Sequence, residues 1–308
     1  GYAAAQAAAT LGASVTLVEG QGLGGNCTIT DAIPSKALIA TGGVMASIER
    51  AEHLGIEFEH GRPRVDLIRT IAHARWVATH QSRGVRDRLE GTTVRVIAGS
   101  GEIVEPGLVR VTTDHGARDV PYDRLLIATG ASPWDPPFAQ VDHDRVFSTR
   151  EVLDRRTLPE HLLVVGAGAT GCEFAEFFGS CGSRITLLSA RDQILPAEDP
   201  DVAEIVQEAF LARGMELQMR ARVTSVDVLE EGVQVTCEDG RQFRGSHAII
   251  CMGMRANTSG LGLERLGVVR DARDAIVVDE HQETTSPGVY AAGDVAGGMM
   301  LASTAAMQ

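Results

Sequence analysis

The sequence predicts an α/β protein in which two similar βαβ units each carry an inserted β-meander. Three features predict this architecture: an internal duplication, a glycine-rich turn between two apolar strands, and two groups of short alternating strands. In the duplication, which has an offset of 170 residues, Gly1 matches Gly171 and Thr16 matches Thr186. Self-similarity of this kind indicates that one supersecondary unit occurs twice in the chain.

The second copy of the unit is complete. A buried parallel strand is predicted at residues 162–165, followed by a turn with Gly166, Gly168 and Gly171, a helix, and a strand at 185–188. The three glycines allow a tight turn and a close approach of the backbone to a pyrophosphate. The N-terminus of the following helix adds N–H donors and the positive end of the helix dipole. The pattern predicts a Rossmann-like dinucleotide-binding domain.

The first copy begins inside the same pattern. Gly1 has the position of the last glycine of the turn, and residues 14–18 have that of the second strand. We therefore expect the first strand and the earlier glycines to lie outside this sequence. Glu19 ends the second strand, where an acidic residue can accept hydrogen bonds from the ribose of an adenosine. The first copy is thus predicted to form a second Rossmann-like dinucleotide-binding domain.

Each unit continues into short strands of alternating apolar and polar residues, which predict a β-meander. Apolar residues at three- and four-residue spacing predict that residues 37–90 are largely helical. Apolar strands at 125–130 and 248–253 end in glycine and complete the two units. The predicted meander strands are residues 92–97, 101–104 and 109–113 in the first unit and 215–219, 223–228 and 233–237 in the second.

After about residue 270 the chain is predicted to return to the first domain, through strands at 275–279 and 288–292. The expected organisation is a first domain at residues 1–149, a second at 150–269, and a return segment at 270–308. Both ends of the sequence fall within predicted helical patterns, so we expect a fragment of a longer protein.

Composition excludes several classes of function. The formal charge of −13 and the pI of about 5.1 oppose binding to nucleic acid. No apolar run approaches the roughly 20 residues of a transmembrane helix. The five cysteines lack the spacing of a disulfide framework, which predicts reduced thiols and a cytoplasmic location. The histidines show no metal-ligand spacing, so no metal site is predicted.

Residues 24–36 read Gly-Gly-Asn-Cys-Thr-Ile-Thr-Asp-Ala-Ile-Pro-Ser-Lys, and Lys36 is the only lysine among 28 basic residues. This segment resembles the redox-active segment of the flavoprotein pyridine nucleotide-disulfide oxidoreductases, in which two cysteines four residues apart precede Ile-Pro or Val-Pro. Cys27 matches the first cysteine, but Ala32 stands at the position of the second. Because alanine has no sulfur, we expect the usual disulfide chemistry of the family to be absent.

The resemblance extends over nearly all 308 residues and implies which dinucleotide each domain binds. It assigns FAD to the domain at 1–149 with the return segment 270–308, and NAD(P)H to the domain at 150–269. It also implies a C-terminal dimerisation domain that this sequence does not contain, and therefore a homodimer.

The resemblance implies roles for individual residues. For catalysis it implies Lys36, Glu173 and Cys27, with Cys27 either structural or retaining a thiol role. The residues implied to bind FAD are Gly1, Glu19, Gly24, Gly25, Lys36, Gly101, Ala128, Thr129, Gly130, Gly293, Asp294, Leu301 and Ala302. The residues implied to bind NAD(P)H are Gly166, Gly168, Gly171, Glu173, Ser189, Arg191 and Gly253.

Two of these groups carry specific expectations. In similar proteins an acidic residue at the position of Glu173 pairs with the lysine at position 36, beside the nicotinamide and the flavin N5.

At the end of the strand predicted at 185–188, an acid would favour NAD, because it bonds the ribose 2′-hydroxyl and repels a 2′-phosphate. Here Ser189 replaces that acid and Arg191 follows two residues later, so we expect NADPH to be accepted.

The resemblance is strongest to branches of the family that lack the redox disulfide. The favoured function is an FAD-dependent NAD(P)H dehydrogenase that passes electrons from reduced flavin directly to a quinone. It is favoured by stretches such as 129–133 and 257–265. The main alternative is a soluble pyridine nucleotide transhydrogenase, which Arg191-Asp192 favours. A dihydrolipoyl dehydrogenase-like protein and a nucleotide-sensing flavoprotein with little turnover remain further alternatives.

Overall fold

The computed structural model describes the backbone of residues 1–308 and every side chain except that of His53. The helices are α1 (Tyr2–Thr10), α2 (Gly25–Ile29), α3 (Ala32–His53), α4 (Leu67–Glu90), α5 (Ala169–Ser180), α6 (Pro200–Ala212) and α7 (Ala302–Met307). The strands are β1 (Thr16–Glu19), β2 (Arg95–Ala98), β3 (Ser100–Glu105), β4 (Leu108–Thr113), β5 (Gly116–Pro121), β6 (Leu125–Ile127), β7 (Ala131–Pro133), β8 (Val146–Ser148), β9 (His161–Val165), β10 (Arg184–Leu188), β11 (Glu216–Gln218), β12 (Val223–Val228), β13 (Val233–Cys237), β14 (Gln242–Gly245), β15 (His247–Ile250), β16 (Met254–Ala256) and β17 (Val289–Ala291).

The chain divides into two compact units. The first unit comprises Gly1–Thr30, Ala78–Ser132 and Met254–Gln308, and the second comprises Asp31–Val77 and Pro133–Gly253. The second unit includes α3 because this helix packs along α5. This division by contacts differs from the expected organisation at residues 31–77, 133–149 and 254–269. The domain boundaries at 149 and 269 stay a prediction.

The second unit is built on a five-stranded parallel sheet with the order β11-β10-β9-β15-β8. Strand β9 is buried along its whole length, as expected for a central strand that is covered on both faces. Helix α5 follows β9 and turns Phe174, Phe177 and Phe178 into the core. The antiparallel meander β12-β13-β14 packs its apolar side chains against a second group that includes Leu163 and Ile250.

The first unit contains two parallel strand pairs and a meander. Strand β1 pairs with β2, β6 pairs with β17, and the antiparallel meander has the order β3-β4-β5. Its core joins the sheet residues Ile127 and Ala291 to Ile103 of the meander and to Leu263. The predicted α/β class, with a meander in each of two units, is confirmed.

Both predicted meanders are present, but their predicted bounds were wrong in the same way in both units. The first member of each predicted meander, at 92–97 and 215–219, corresponds to β2 and β11, which instead pair in parallel with β1 and β10. The third meander strand lies beyond the predicted segments, at β5 and β14. Strand β5 is largely exposed, and β14 has only one large apolar residue, Phe243. Neither strand therefore has the repeated apolar alternation that predicts a half-buried strand.

Two further segments differ from expectation. The strand predicted at 275–279 is present only as isolated bridges, such as that between Arg270 and Ile276. Helix α6 was not predicted, although Asp199 accepts a hydrogen bond from the Asp201 N–H and Pro200 occupies the first turn. Among the described residues, no helix combines the length and the apolar character needed to cross a membrane.

Candidate functional site

In the glycine turn after β9, two glycines are required because a side chain would collide with the backbone, and the third is not required for packing. A Cβ on Gly166, where φ is +107°, would lie 2.3 Å from the Cys251 carbonyl oxygen, and one on Gly171 would lie 1.9 Å from the Gly166 oxygen. A Cβ on Gly168 would meet no atom within 4 Å, and the φ of −74° at Gly168 is ordinary. Gly168 thus leaves open space at the start of α5.

The start of α5 can bind an anion. Gly168 is the N-cap of this 12-residue helix, and no side chain caps it by a hydrogen bond. The N–H groups of the first helical turn have no partner within the helix and carry the positive end of its dipole. Open space next to these donors fits the pyrophosphate of a dinucleotide. Gly253, with φ of +92°, follows the neighbouring strand β15 and also leaves space where a Cβ would lie.

Ser189 is buried, whereas Arg191 is exposed to solvent. Ser189 is 2% exposed; its hydroxyl donates to the Gln193 carbonyl at 2.7 Å and accepts from the Arg191 N–H at 3.2 Å. The hydroxyl therefore shapes the loop after β10 and has no hydrogen left to donate to a phosphate. The Arg191 side chain is exposed at this sheet edge. The roles of Ser189 and Arg191 in accommodating a 2′-phosphate both stay predictions.

Lys36 and Glu173 form an ion pair within the second unit. Lys36 lies in the second turn of α3 and Glu173 in the second turn of α5. The ammonium Nζ lies 2.6 Å from Oε1 and 2.9 Å from Oε2 of Glu173, so it donates to both oxygens. The Lys36 side chain is 59% exposed and that of Glu173 is 31% exposed. The pair is therefore fixed by geometry yet open to a ligand.

Glu19 and the glycines near it lie in the first unit. One carboxylate oxygen of Glu19 accepts from the N–H groups of Gln21 and Gly22, at 2.8 and 3.1 Å. These bonds use Oε1 and hold the loop that follows β1. Gly24 and Gly25 have φ of +104° and +64°, which favours glycine, and a Cβ on Gly25 would meet no atom within 4 Å. This loop presents a carboxylate and an open backbone turn, which fits the ribose and phosphates of a dinucleotide.

The segment after β6 is held by an asparagine. Thr129 donates its hydroxyl to the Asn257 carbonyl oxygen at 2.7 Å, and the Asn257 amide donates back to the Thr129 carbonyl at 2.9 Å. Ser132 donates to Oδ1 of Asn257 at 2.8 Å. The stretches at 129–133 and 257–265, which carry part of the resemblance to quinone reductases, thus include residues that bind each other. Ala128 and Gly130 lie in this braced segment.

Asp294 and Asn26 meet in the same unit. Asp294 is partly buried after Gly293, and burial raises the pKa of its carboxyl, while a hydrogen bond from Asn26 opposes the rise. Asn26 Nδ2 also donates to the Ala131 carbonyl oxygen at 2.6 Å. A partly buried carboxylate can accept hydrogen bonds from the hydroxyls of a cofactor. Asn26 was not predicted as a site residue, although its polar amide lies between the glycine turn and Cys27 in the sequence.

The remaining predicted FAD residues are dispersed in the first unit. Gly101 lies in β3, where a Cβ would lie 3.3 Å from Val109 Cγ1. Leu301 is half exposed and precedes α7, which begins at Ala302. Gly1 precedes α1, with Ala128 3.3 Å from where its Cβ would be. Together with the acceptors Glu19 and Asp294, this set of groups fits FAD.

The cysteines divide between the two units. Cys27 lies in α2 of the first unit, and the others lie in the second unit. Burial raises the pKa of the Cys172 thiol to about 11 and that of Cys181 to about 12. Cys237 and Cys251 also have pKa values raised by burial. These four thiols are therefore poor nucleophiles and fill core space.

Similar proteins carry the same architecture. A family model described as pyridine nucleotide-disulphide oxidoreductase matches residues 1–308. An NAD(P)H dehydrogenase (quinone) of Mycobacterium tuberculosis is 40% identical, and the alignment covers 100% of this chain and 64% of that protein. A dihydrolipoyl dehydrogenase of Bacillus subtilis (strain 168) is 31% identical over 99% of this chain and 67% of its own length.

Among solved structures, that of LpdA from Mycobacterium tuberculosis matches with a TM-score of 0.92. It is 39% identical, and the match covers 100% of this chain and 68% of that one. The chain thus spans about two thirds of the length of the proteins it resembles.

Proposed function

The chain belongs to the pyridine nucleotide-disulphide oxidoreductase family, and on that premise we propose that it acts in an FAD-dependent NAD(P)H dehydrogenase that reduces a quinone without an active-site disulfide. Members of this family use FAD and NAD(P)H. The M. tuberculosis relative named NAD(P)H dehydrogenase (quinone) supports the choice of acceptor.

The observation that carries the proposal is the alanine at position 32. Ala32 is the first residue of α3 and supplies no sulfur to Cys27. The four other cysteines lie in the second unit, where burial keeps three of them, Cys172, Cys181 and Cys251, strongly protonated. A dithiol relay needs two sulfurs that can bond to each other. We therefore expect reducing equivalents to reach the acceptor without one.

The protein's own residues bind and orient the reactants. Bound FAD would supply the redox chemistry, by taking up hydride from NAD(P)H and giving two electrons to the quinone. Glu173 holds the Lys36 ammonium in one place and so provides a fixed positive charge. Asp294 and Glu19 accept hydrogen bonds from hydroxyls of FAD. The open turn at Gly168 and the start of α5 bind the pyrophosphate of NAD(P)H.

The choice between the two nicotinamide cofactors rests on Arg191. The exposed guanidinium follows β10, and the second unit offers no acid at position 189. An arginine can bind a phosphate through two parallel hydrogen bonds. We propose that NADPH is accepted, that the protein works in the cytoplasm, and that it forms a homodimer through a domain outside this sequence.

Anaerobic mixing tests the function. The purified flavoprotein is mixed with NADPH, and the flavin absorbance is followed; rapid bleaching is expected. A quinone such as menadione should then restore the oxidised spectrum in a second step. Absence of bleaching would instead indicate a nucleotide-sensing flavoprotein, and efficient turnover with lipoamide would show that a dithiol is present after all.

A soluble pyridine nucleotide transhydrogenase is the second candidate. Arg191-Asp192, directly after β10, favours it. In this case NAD rather than a quinone would reoxidise the reduced protein. Comparing menadione with NAD as acceptors, after reduction by NADPH, separates the two functions.

A further inference from the structure

Asn26 connects three segments that are assigned here to the FAD site. Its Nδ2 donates to the Ala131 carbonyl oxygen at 2.6 Å, and the same side chain lies close enough to Asp294 to lower the pKa of that carboxyl. The same nitrogen would lie 3.1 Å from a Cβ on Gly130. The glycine turn before α2, the segment after β6 and the loop after β17 thus meet at one amide. All three segments lie in the first unit.

The chemistry of these bonds requires an amide. An ionised carboxylate and a carbonyl oxygen only accept hydrogen bonds, so both need a donor. The NH₂ group of asparagine has two hydrogens and can serve both acceptors at once. Aspartate has the same shape but offers no donor when it is ionised. Asn26 therefore differs from an aspartate of the same size in the two N–H donors of its amide.

We propose that Asn26 is a positioning residue that holds the Asp294 carboxylate and the segment after β6 in the arrangement that binds FAD. The inference rests on the proposed FAD site. It explains why an amide lies directly between the glycine turn and Cys27. Without this donor, Asp294 and the Ala131 carbonyl would each lose a partner, and the two acceptors would repel each other.

The isosteric substitution Asn26→Asp tests the proposal. Release of FAD from the purified holoprotein is followed by flavin fluorescence after dilution, between pH 5.5 and 8.5. At pH 8 we expect the Kd for FAD to rise about tenfold, which corresponds to about 1.4 kcal/mol. The defect should shrink toward pH 5.5, because two facing carboxyls can share a proton there.

Asn257→Asp is the matched control. Asn257 braces the same segment through Thr129 and Ser132, but no hydrogen bond to Asp294 involves it. This variant carries the same change of charge, and any loss of FAD affinity should depend little on pH. The pH-dependent defect should therefore appear only with the substitution at position 26.

The outcomes separate the two proposals. A wild-type protein that binds no FAD would overturn the proposed function and this inference with it. A wild-type protein that binds FAD, together with an Asn26→Asp variant of unchanged affinity and pH profile, would overturn only the role of Asn26. If Asn26→Asp fails to fold, Asn26→Ser serves instead: it keeps one donor, and unchanged FAD release from it would also overturn the role.

Discussion

Lys36 and Glu173 lie 137 positions apart in sequence and meet because α3 packs along α5. More than half of the Lys36 side chain is exposed, so the pair contributes little to stability, about 0–1 kcal/mol as is usual for exposed pairs. The bidentate contact instead limits where the ammonium can point. Its value lies in placing a charge, and its loss should therefore affect chemistry more than folding.

Glu173→Gln tests this at the residue scale. We expect the melting temperature to stay nearly unchanged, while reduction of the flavin by NADPH slows on the order of tenfold because Lys36 is no longer fixed. Stopped-flow absorbance measures the rate. Glu176→Gln, one turn along α5, is the control: it breaks the pair with Arg213 and should lower stability but leave the reduction rate alone. Equal rates in both variants would argue against the role of Glu173.

At this scale, the sequence predicted the positions of the site residues more readily than the contacts of their side chains. It singled out Lys36, Glu173 and Asp294, because motif spacing gives a residue's place in the chain. The bonding role of Asn26 was not predicted, and the role of Ser189 beside a 2′-phosphate stays a prediction. The contact made by Asn26 depends on the direction of its side chain, which is set by a partner distant in sequence: Ala131 is 105 positions away. No local pattern contains that information.

At the scale of the element, the turn between β9 and α5 contains glycines needed for packing and a glycine that leaves space for a ligand. Gly166 and Gly171 are required because a Cβ would meet backbone oxygens, whereas Gly168 has open space. The glycines of this one turn are therefore needed for different physical reasons, two for packing and one for binding. Substitutions at the two kinds of glycine should produce different defects.

Gly168→Ala and Gly171→Ala form a matched pair. Gly168→Ala should leave the melting temperature nearly unchanged but weaken NADPH binding, about tenfold or more, since the methyl group occupies space that the pyrophosphate needs. Gly171→Ala should destabilise the protein by about 1–3 kcal/mol through overpacking. Thermal melting and fluorescence titration with NADPH measure the two effects. Identical behaviour of the two variants would contradict this division of roles.

The strands show what sequence patterns could and could not predict. Periodicity placed β9, β10, β12 and β13 correctly, because each presents apolar residues to a core. It could not tell that β11 joins the parallel sheet, since the choice between a parallel and an antiparallel partner depends on tertiary packing. Strand β14 has a single large apolar residue, Phe243, which is too little to predict a strand.

At the scale of the whole molecule, a polar chain crosses the sheet of the second unit. His161 Nε2 lies 2.8 Å from the Thr186 hydroxyl, which donates to Glu216 at 2.9 Å, and Arg184 bonds His161 Nδ1. Burial lowers the pKa of His161, and the neighbouring Arg184 lowers it further. The folded protein therefore holds His161 neutral, with the imidazole accepting from Arg184 and donating to Thr186.

This arrangement predicts a dependence of stability on pH. Because the pKa of His161 is lower in the folded than in the unfolded state, the folded protein binds fewer protons, and stability falls as the pH drops below about 6.5. The melting temperature should decrease between pH 7 and pH 5.5. His161→Gln should reduce this decrease, whereas His115→Gln, at an exposed position, should not. A decrease of the same size in all three proteins would exclude His161 as a source.

The central claim is that the flavin works without a disulfide, and counting electrons tests it most directly. The purified holoprotein is titrated anaerobically with dithionite while the flavin absorbance is recorded. Without a second redox centre, complete reduction should require about two electrons per FAD. A requirement of about four electrons per FAD would reveal a reducible disulfide in addition to the flavin and would contradict the account.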